Sequence, residues 1–260
     1  MDPIRLSPSG PLIETSITPG EIVPGPLNTA LRSVNLGAGI VADWMPDTGG
    51  GGVYLVDYYA RAGNDWAEAF ALLLTENPLG PLAIFLPASE LPFTRAVTEA
   101  DGLRSDLAFI GVPGLTRITR SAPATFNPCF SFPTGAADVF WYGVNFETDN
   151  PTSFYISILC YQAVRWNIDR CAFIGTTPFT GNTVLRAGGP ALLGTTNCRV
   201  TNCYFERTQC GFGGLGESVD GALFENNIGV NVNDFLVSAV GGVTADRHVR
   251  NVQILNNQVY

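Results

Sequence analysis

One five-residue spacing returns along the second half of the chain and narrows its fold more than any other feature. An apolar residue is followed five positions later by another: Trp141 with Phe146, Ile168 with Phe173, Val200 with Phe205, Leu223 with Ile228, and Ile254 with Val259. The closing residues stand 27, 32, 23 and 31 positions apart. Intervals that cluster around one length and vary through loops mark a solenoid, whose units bury their apolar faces only by stacking. The stretches leading in alternate, as in Val164-x-Trp166-x-Ile168 and Arg250-x-Val252-x-Ile254, which is the period of a strand. From about Leu103 onward the spacing predicts short parallel strands wound into coils.

The third residue after each opening position reads Val144, Cys171, Cys203, Asn226 and Asn257. Stacked coils would bring such a column to neighbours ~4.8 Å apart. There a thiol packs as a compact apolar group, and an Asn amide bonds the next coil's backbone and amide to make an internal ladder. Cys171 and Cys203 would then lie near enough for a disulfide. The six cysteines, Cys129, Cys160, Cys171, Cys198, Cys203 and Cys210, show neither the dense spacing of a disulfide scaffold nor a CxxC pair for zinc. Free, mostly buried thiols and no metal are expected.

Composition excludes several function classes. Charged residues make up 14% of the chain and aromatics 11%, which is too little charge and too many rings for a disordered chain. The formal net charge is -9, and all 14 basic residues are arginine. Such a surface repels phosphate backbones and releases no counterions, so no nucleic-acid partner is expected. It offers an anionic membrane nothing, and no run of ~18 apolar residues could span one. The first twenty residues show no basic region followed by an apolar run, so no secretory signal is read there.

The first half divides differently. Residues 1–52 are rich in Pro, Gly, Ser and Thr and end in Gly49-Gly50-Gly51-Gly52; they read as an arm, with a short helix near Leu27 to Val34. Residues 53–102 read as a strand–helix–strand cap and residues 103–260 as the coils. The cap opens with Val53-Tyr54-Leu55-Val56-Asp57-Tyr58-Tyr59, an aromatic and β-branched strand signal. A helix follows, with Asn64 as N-cap and Trp66, Phe70, Leu73 and Leu74 on one apolar stripe, ending at Asn77-Pro78. Leu82-Ala83-Ile84-Phe85-Leu86 is a buried strand. At the other end, Asn256 to Tyr260 stop inside a repeat, so further coils or a covering chain are expected there.

The cap and first coil carry a resemblance. A strand, the turn Gly63-Asn64-Asp65, a helix with Trp66, Ala67, Ala69 and Phe70, then Phe85-Leu86-Pro87-Ala88 lead to Ser105-Asp106-Leu107-Ala108-Phe109-Ile110-Gly111 and Pro113-Gly114. From about residue 53 to 260 this resembles the pectate-lyase-like right-handed parallel β-helix superfamily, and within it phage tailspikes and tail fibres. The family's Asp-rich turn is shortened here to Ala62-Gly63-Asn64-Asp65, and its Pro-Ala-Gly becomes Pro87-Ala88-Ser89. The resemblance implies an all-β, single-stranded right-handed parallel β-helix with an N-terminal capping helix and an extended arm. It also implies a homotrimer assembled in the host cytoplasm into a virion. Residues 1–52 would anchor to other virion proteins, and the outer face would bind, or bind and depolymerise, host surface polysaccharide. A free polysaccharide lyase or glycoside hydrolase, and a purely structural β-helical virion component, are the alternatives.

Glycan hydrolysis needs two carboxylates flanking the scissile bond. Outward positions just past the closing residues give Glu147 and Glu206 with Ile174 between them; a second column reads Arg170, Asn202, Glu225 and Asn256. Arg170 could hold a uronic-acid sugar through its planar fork. Glu206, Glu225 and Arg170 are therefore the candidate carbohydrate-binding residues, against the plainer reading of solvated surface charges. Calcium-assisted elimination would need gathered acids, but Asp138, Asp149, Asp169 and Asp220 are scattered along the repeats. The lone His248 sits beside Asp246-Arg247 in a loop, and Gly211, Gly213, Gly214 and Gly216 precede no helix that could cradle a phosphate. No cofactor is expected.

Overall fold

The computed structural model describes residues 22–24, 31–35, 41–46, 52–120, 128–148, 157–175, 190–208, 211–212, 218–232 and 249–260. They form a right-handed parallel β-helix of three long sheets, preceded by a small antiparallel one. Each coil contributes one strand to each sheet in turn. The first coil runs Leu82–Phe85, Glu90–Phe93 and Val97–Thr98, and the second Leu107–Ile110, Thr116–Arg120 and Phe130–Ser131. The third runs Phe140–Tyr142, Val144–Thr148 and Ile158–Tyr161, and the fourth Asn167–Asp169, Ala172–Gly175 and Pro190–Leu193. The fifth is Thr196–Thr201, Tyr204–Glu206 and Gly211–Phe212. Val219–Glu225 with Ile228–Val230, and Val249–Leu255 with Gln258–Val259, extend the first two sheets by two further rungs.

The corners explain how so short a repeat turns. Between the first and second sheets every coil from the third onward places one residue in the left-handed region: Gly143, then Arg170, Asn202, Asn226 and Asn256. A single left-handed residue reverses the strand without spending a loop, and Gly and Asn tolerate it best. Gly143 is required twice over, since a Cβ there would stand 2.8 Å from the Gly111 carbonyl oxygen of the coil below.

The interior is apolar and stacked in register. Trp141, Ile168 and Val200 line up, as do Phe146, Phe173 and Phe205, whose rings stack at 5.2 Å with planes 6° and 9° apart. The fourth copy of the spacing is shifted by one residue. Val200 pairs with Phe224 rather than Leu223, and Phe205 with Gly229 rather than Ile228. Ile228 points outward and is 39% exposed. The column after the corner shifts likewise: Asn227, not Asn226, follows Cys203. Asn227 Oδ1 accepts from the Cys203 N–H at 2.9 Å, and Asn257 Oδ1 accepts from the Asn227 N–H and amide, both at 2.9 Å. Cys129, Cys160, Cys171, Cys198 and Cys203 are buried and form no disulfide, and burial pushes the thiols of Cys160, Cys171 and Cys198 up to about 12.

The N-terminal end departs from expectation in three places. Leu31–Asn35 is not helical but a strand, paired antiparallel with Ile22–Pro24 and Val41–Pro46; Ser33, Val34 and Asn35 are poor helix formers, and pairing on both sides uses their backbone groups. The strand at Val53 stops at Tyr54, and Val56–Tyr59 make one helical turn that lets Tyr59 stack on Trp66 at 4.0 Å. Asp65 rather than Asn64 caps the helix Trp66–Glu76, its Oδ1 accepting from the Glu68 N–H at 3.0 Å while Asn64 takes the left-handed turn before it. The expected stripe is the buried one: Phe70, Leu73 and Leu74 are fully buried and Trp66 nearly so.

Candidate functional site

Outward residues of a parallel β-helix form columns along its axis, one residue per coil and ~4.8 Å per step. At the last outward position of the first sheet, register places Tyr142, Asp169, Thr201, Glu225 and Leu255 in one such column. Glu225 therefore stacks beyond Asp169 and Thr201, not with Arg170 and Asn202. The one-residue shift in the fourth repeat moved it, since Arg170 aligns with Asn202, Asn226 and Asn256 at the left-handed corner. Arg170 and Glu225 still lie on the same edge of the solenoid, Arg170 at the corner and Glu225 at the strand position just before it.

Asp169 is the centre of this edge. It is 6% exposed, and Oδ1 accepts from the Thr201 hydroxyl at 2.8 Å and the Asn202 amide at 2.7 Å. Arg170 Nε stands 3.7 Å from Oδ2. Burial nonetheless raises the Asp169 carboxyl above its ordinary range, outweighing the Asn202 and Thr201 hydrogen bonds and the nearby Arg170 charge. On the rung below, Tyr142 is fully buried and its hydroxyl has no hydrogen-bond partner among the described residues; burial raises its pKa. Arg199 stands in the neighbouring outward column, after Phe140 and Asn167. Burial lowers its pKa, against the attraction of Glu225 and then Asp169, so its guanidinium lies within the field of both carboxylates.

The edge thus holds two carboxylates with one rung between them, about 10 Å apart at the backbone. Arginines stand beside both, and an unpartnered hydroxyl is buried at the inner end. In an inverting glycosidase, the carboxyl that protonates the leaving oxygen and the one that activates a water stand ~6.5–9.5 Å apart, a span comparable to these two rungs. The raised Asp169 suits the acid and the half-buried Glu225 the base.

Glu206 lies elsewhere, on the second sheet. Register puts Glu147 and Glu206 on either side of Ile174, as the spacing implied. Both are committed to neighbours: Glu147 stands 3.6 Å from Arg117, and Glu206 accepts from the Tyr204 hydroxyl at 3.0 Å and pairs with Arg207 at 2.5 Å. Trp66 is buried under Tyr59, whereas Tyr161 is 45% exposed. Asp149, Tyr155, Cys210, Gly213, Gly214, Gly216 and the Asp246-Arg247-His248 loop lie outside the described residues. Among the described residues no group of three His, Cys, Asp or Glu is gathered for a metal.

Sequence reasoning missed Asp169, Arg199 and Tyr142 as a unit. The available signal was Asp169 directly before the left-handed Arg170, which ties it to the position before Asn202 and Asn226. No protein-family model matches the chain, and no curated protein matches it.

Proposed function

We propose that this chain is the body of a phage tailspike or tail-fibre protein: a homotrimeric virion component, assembled in the host cytoplasm, that binds host surface polysaccharide along its coils. Residues 1–52 would face the other virion proteins. The observation that carries the reading is the Asp169–Thr201–Glu225 column with Arg170 and Arg199 beside it. A rigid sheet edge with two carboxylates and two guanidiniums fits a polymer of acidic sugars. The arginines pair with uronate carboxylates, and the spaced acids stand either side of a glycosidic bond. Hydrolysis there would transfer the Asp169 proton to the leaving oxygen while Glu225 takes the proton of the attacking water. The net charge of -9 agrees with a role outside nucleic-acid binding.

Incubation of the protein with a panel of capsular and O-antigen polysaccharides tests the reading, with binding and new chain ends measured separately. Saturable binding that weakens at least about tenfold in Arg199→Ala is expected, given the loss of a charge-assisted contact worth ~1.5–3 kcal/mol. New reducing ends without unsaturated products identify hydrolysis, and unsaturated ends identify the lyase alternative. A monomer that cleaves in solution favours a free enzyme, and absence of binding across the panel removes the glycan reading in favour of a structural component.

A further inference from the structure

The outer columns of the first sheet change character partway along the solenoid. Phe85, Ile110, Phe140 and Tyr142 occupy outward positions of the first three coils, whereas Asn167, Asp169, Arg199 and Thr201 occupy the same columns in the next two. None of those four apolar residues belongs to the interior cluster, yet they are only 7, 3, 1 and 0% exposed. An outward sheet face of a bare solenoid would be open to water, so another layer covers it. The strand Val41–Pro46 supplies that layer, running within 8 Å, Cα to Cα, of Leu107–Ile110 and Phe140–Tyr142. Its partners Leu31–Asn35 and Ile22–Pro24 make it the inner part of a three-stranded antiparallel sheet, the one antiparallel sheet among the described residues.

We propose that the apolar outer face of the first three coils is a docking surface, and that its occupant is the three strands Ile22–Pro24, Leu31–Asn35 and Val41–Pro46 of the same chain. These residues form a second sheet packed outside the first. Two observations meet in this assignment: the outward columns are apolar where the strand passes, and they turn polar on the following rungs, where Asp169 and Arg199 stand. Patches of this kind are rare on free monomer surfaces because they drive association. In sequence, residues 47–51 and Gly52 separate the two layers by only a short, glycine-rich stretch. The assignment shares only Tyr142 with the polar edge and involves a different partner, so the tests below read it apart from the glycan reading.

A photoreactive benzophenone amino acid in place of Phe140 in the full chain tests it, in assemblies that mix isotope-labelled and unlabelled copies. Cross-links from position 140 to residues 22–46 within one isotope class are expected. Cross-links between classes would overturn the same-chain assignment in favour of strand exchange between copies, and cross-links to the solenoid alone would overturn the docking surface itself. A second variant, Phe140→Asp, places a charge on the face without entering the interior. Proteolysis within residues 1–51 should rise about tenfold or more, because cleavage tracks the open population, while the coils stay resistant. Gln253→Asp, outward on the last coil, should leave the cleavage pattern unchanged. Equal cleavage in Phe140→Asp and the parent chain would also overturn the proposal.

Discussion

The two ends of the solenoid share one coil geometry and fill it with opposite chemistry. Toward the N-terminus the interior is a mesh of rings. Phe70 of the cap helix meets Phe93, Phe109 and Phe130 at 5.4–6.1 Å, and Trp141 lies flat on Phe109 at 3.9 Å with planes 7° apart. Toward the C-terminus the rings thin: Phe173 and Phe205 stack, Gly229 follows Phe205 in its column, and the buried Phe224 fills the neighbouring one. The corner column passes from Val144 through Cys171 and Cys203 to Asn227 and Asn257. The first end is held by area and shape, and the last rungs add aligned hydrogen bonds to a thinner apolar interior of Val219, Ala222 and Phe224. The comparison teaches that this backbone needs only a periodic interior. Whether that interior is apolar or amide decides how each end fails.

The largest effect should come from breaking the mesh. Trp141→Ala removes a fully buried ring that touches Phe109, Phe130 and Phe146, and should cost about 3–5 kcal/mol, read from the denaturant midpoint. Val200→Ala, in the same column two coils on, removes far less volume and should cost about half as much or less. Equal losses would show that the aromatic end is not the stiffer one.

Breaking the ladder should come next. Asn227 is fully buried and satisfies its neighbours in both directions: Oδ1 accepts from the Cys203 N–H, and the amide donates to the Val200 carbonyl and to Asn257 Oδ1, each at 2.9 Å. Asn227→Ala leaves those groups buried without partners, at a cost of about 2–3 kcal/mol. Hydrogen exchange should locate the damage, with faster exchange at the Cys203 amide and none at the cap helix. Acceleration spread through both ends would mean that the two interiors are one cooperative unit.

The same contrast explains what could be read from residue order. Trp141, Phe146, Ile168, Phe173, Val200 and Phe205 are large, apolar and evenly spaced, so the pattern found the coils and their interior. It slipped at the fourth repeat because Leu223 and Ile228 are apolar but point outward, while Gly229, the true interior position, has no side chain to announce itself. That slip displaced Asn227 and Glu225 together, and with Glu225 misaligned the pairing with Asp169 was hidden. The covering of Phe140 and Ile110 left no local signal either. An outward apolar residue looks like an inward one until the register is known.

Acid should separate the ends by a smaller margin. Arg95 grips Glu68 at 2.5 and 3.0 Å and Asp101 at 3.0 Å, tying the cap helix to the first coil. The Arg95 hydrogen bond lowers the Glu68 carboxyl, and for Asp101 the bonds from Arg95 and the Thr98 N–H outweigh the burial that would raise it. Groups lowered in the folded state stabilise it above their unfolded values, near 4.5 and 3.8, and lose that contribution as pH falls through the folded ones. The groups are partly exposed and screened, so the loss should stay below about 1 kcal/mol. It should show as faster exchange in residues 66–76 on acidification, and be absent in Arg95→Met.

Asp169 should respond with the opposite sign and the smallest size. Its carboxyl is raised by burial, so its contribution is fully present below the unfolded value near 3.8 and is lost as pH climbs through the folded one. Asp169→Asn keeps an oxygen that can accept from Thr201 and Asn202 while removing the buried charge. At neutral pH the variant should therefore be slightly more stable than the parent, by less than about 1 kcal/mol, and the gain should vanish as the pH is lowered. A site that costs stability where it is charged is the signature of a group kept for chemistry rather than for folding. A variant less stable than the parent at every pH would make Asp169 a structural acceptor, and the polar edge another corner of the scaffold.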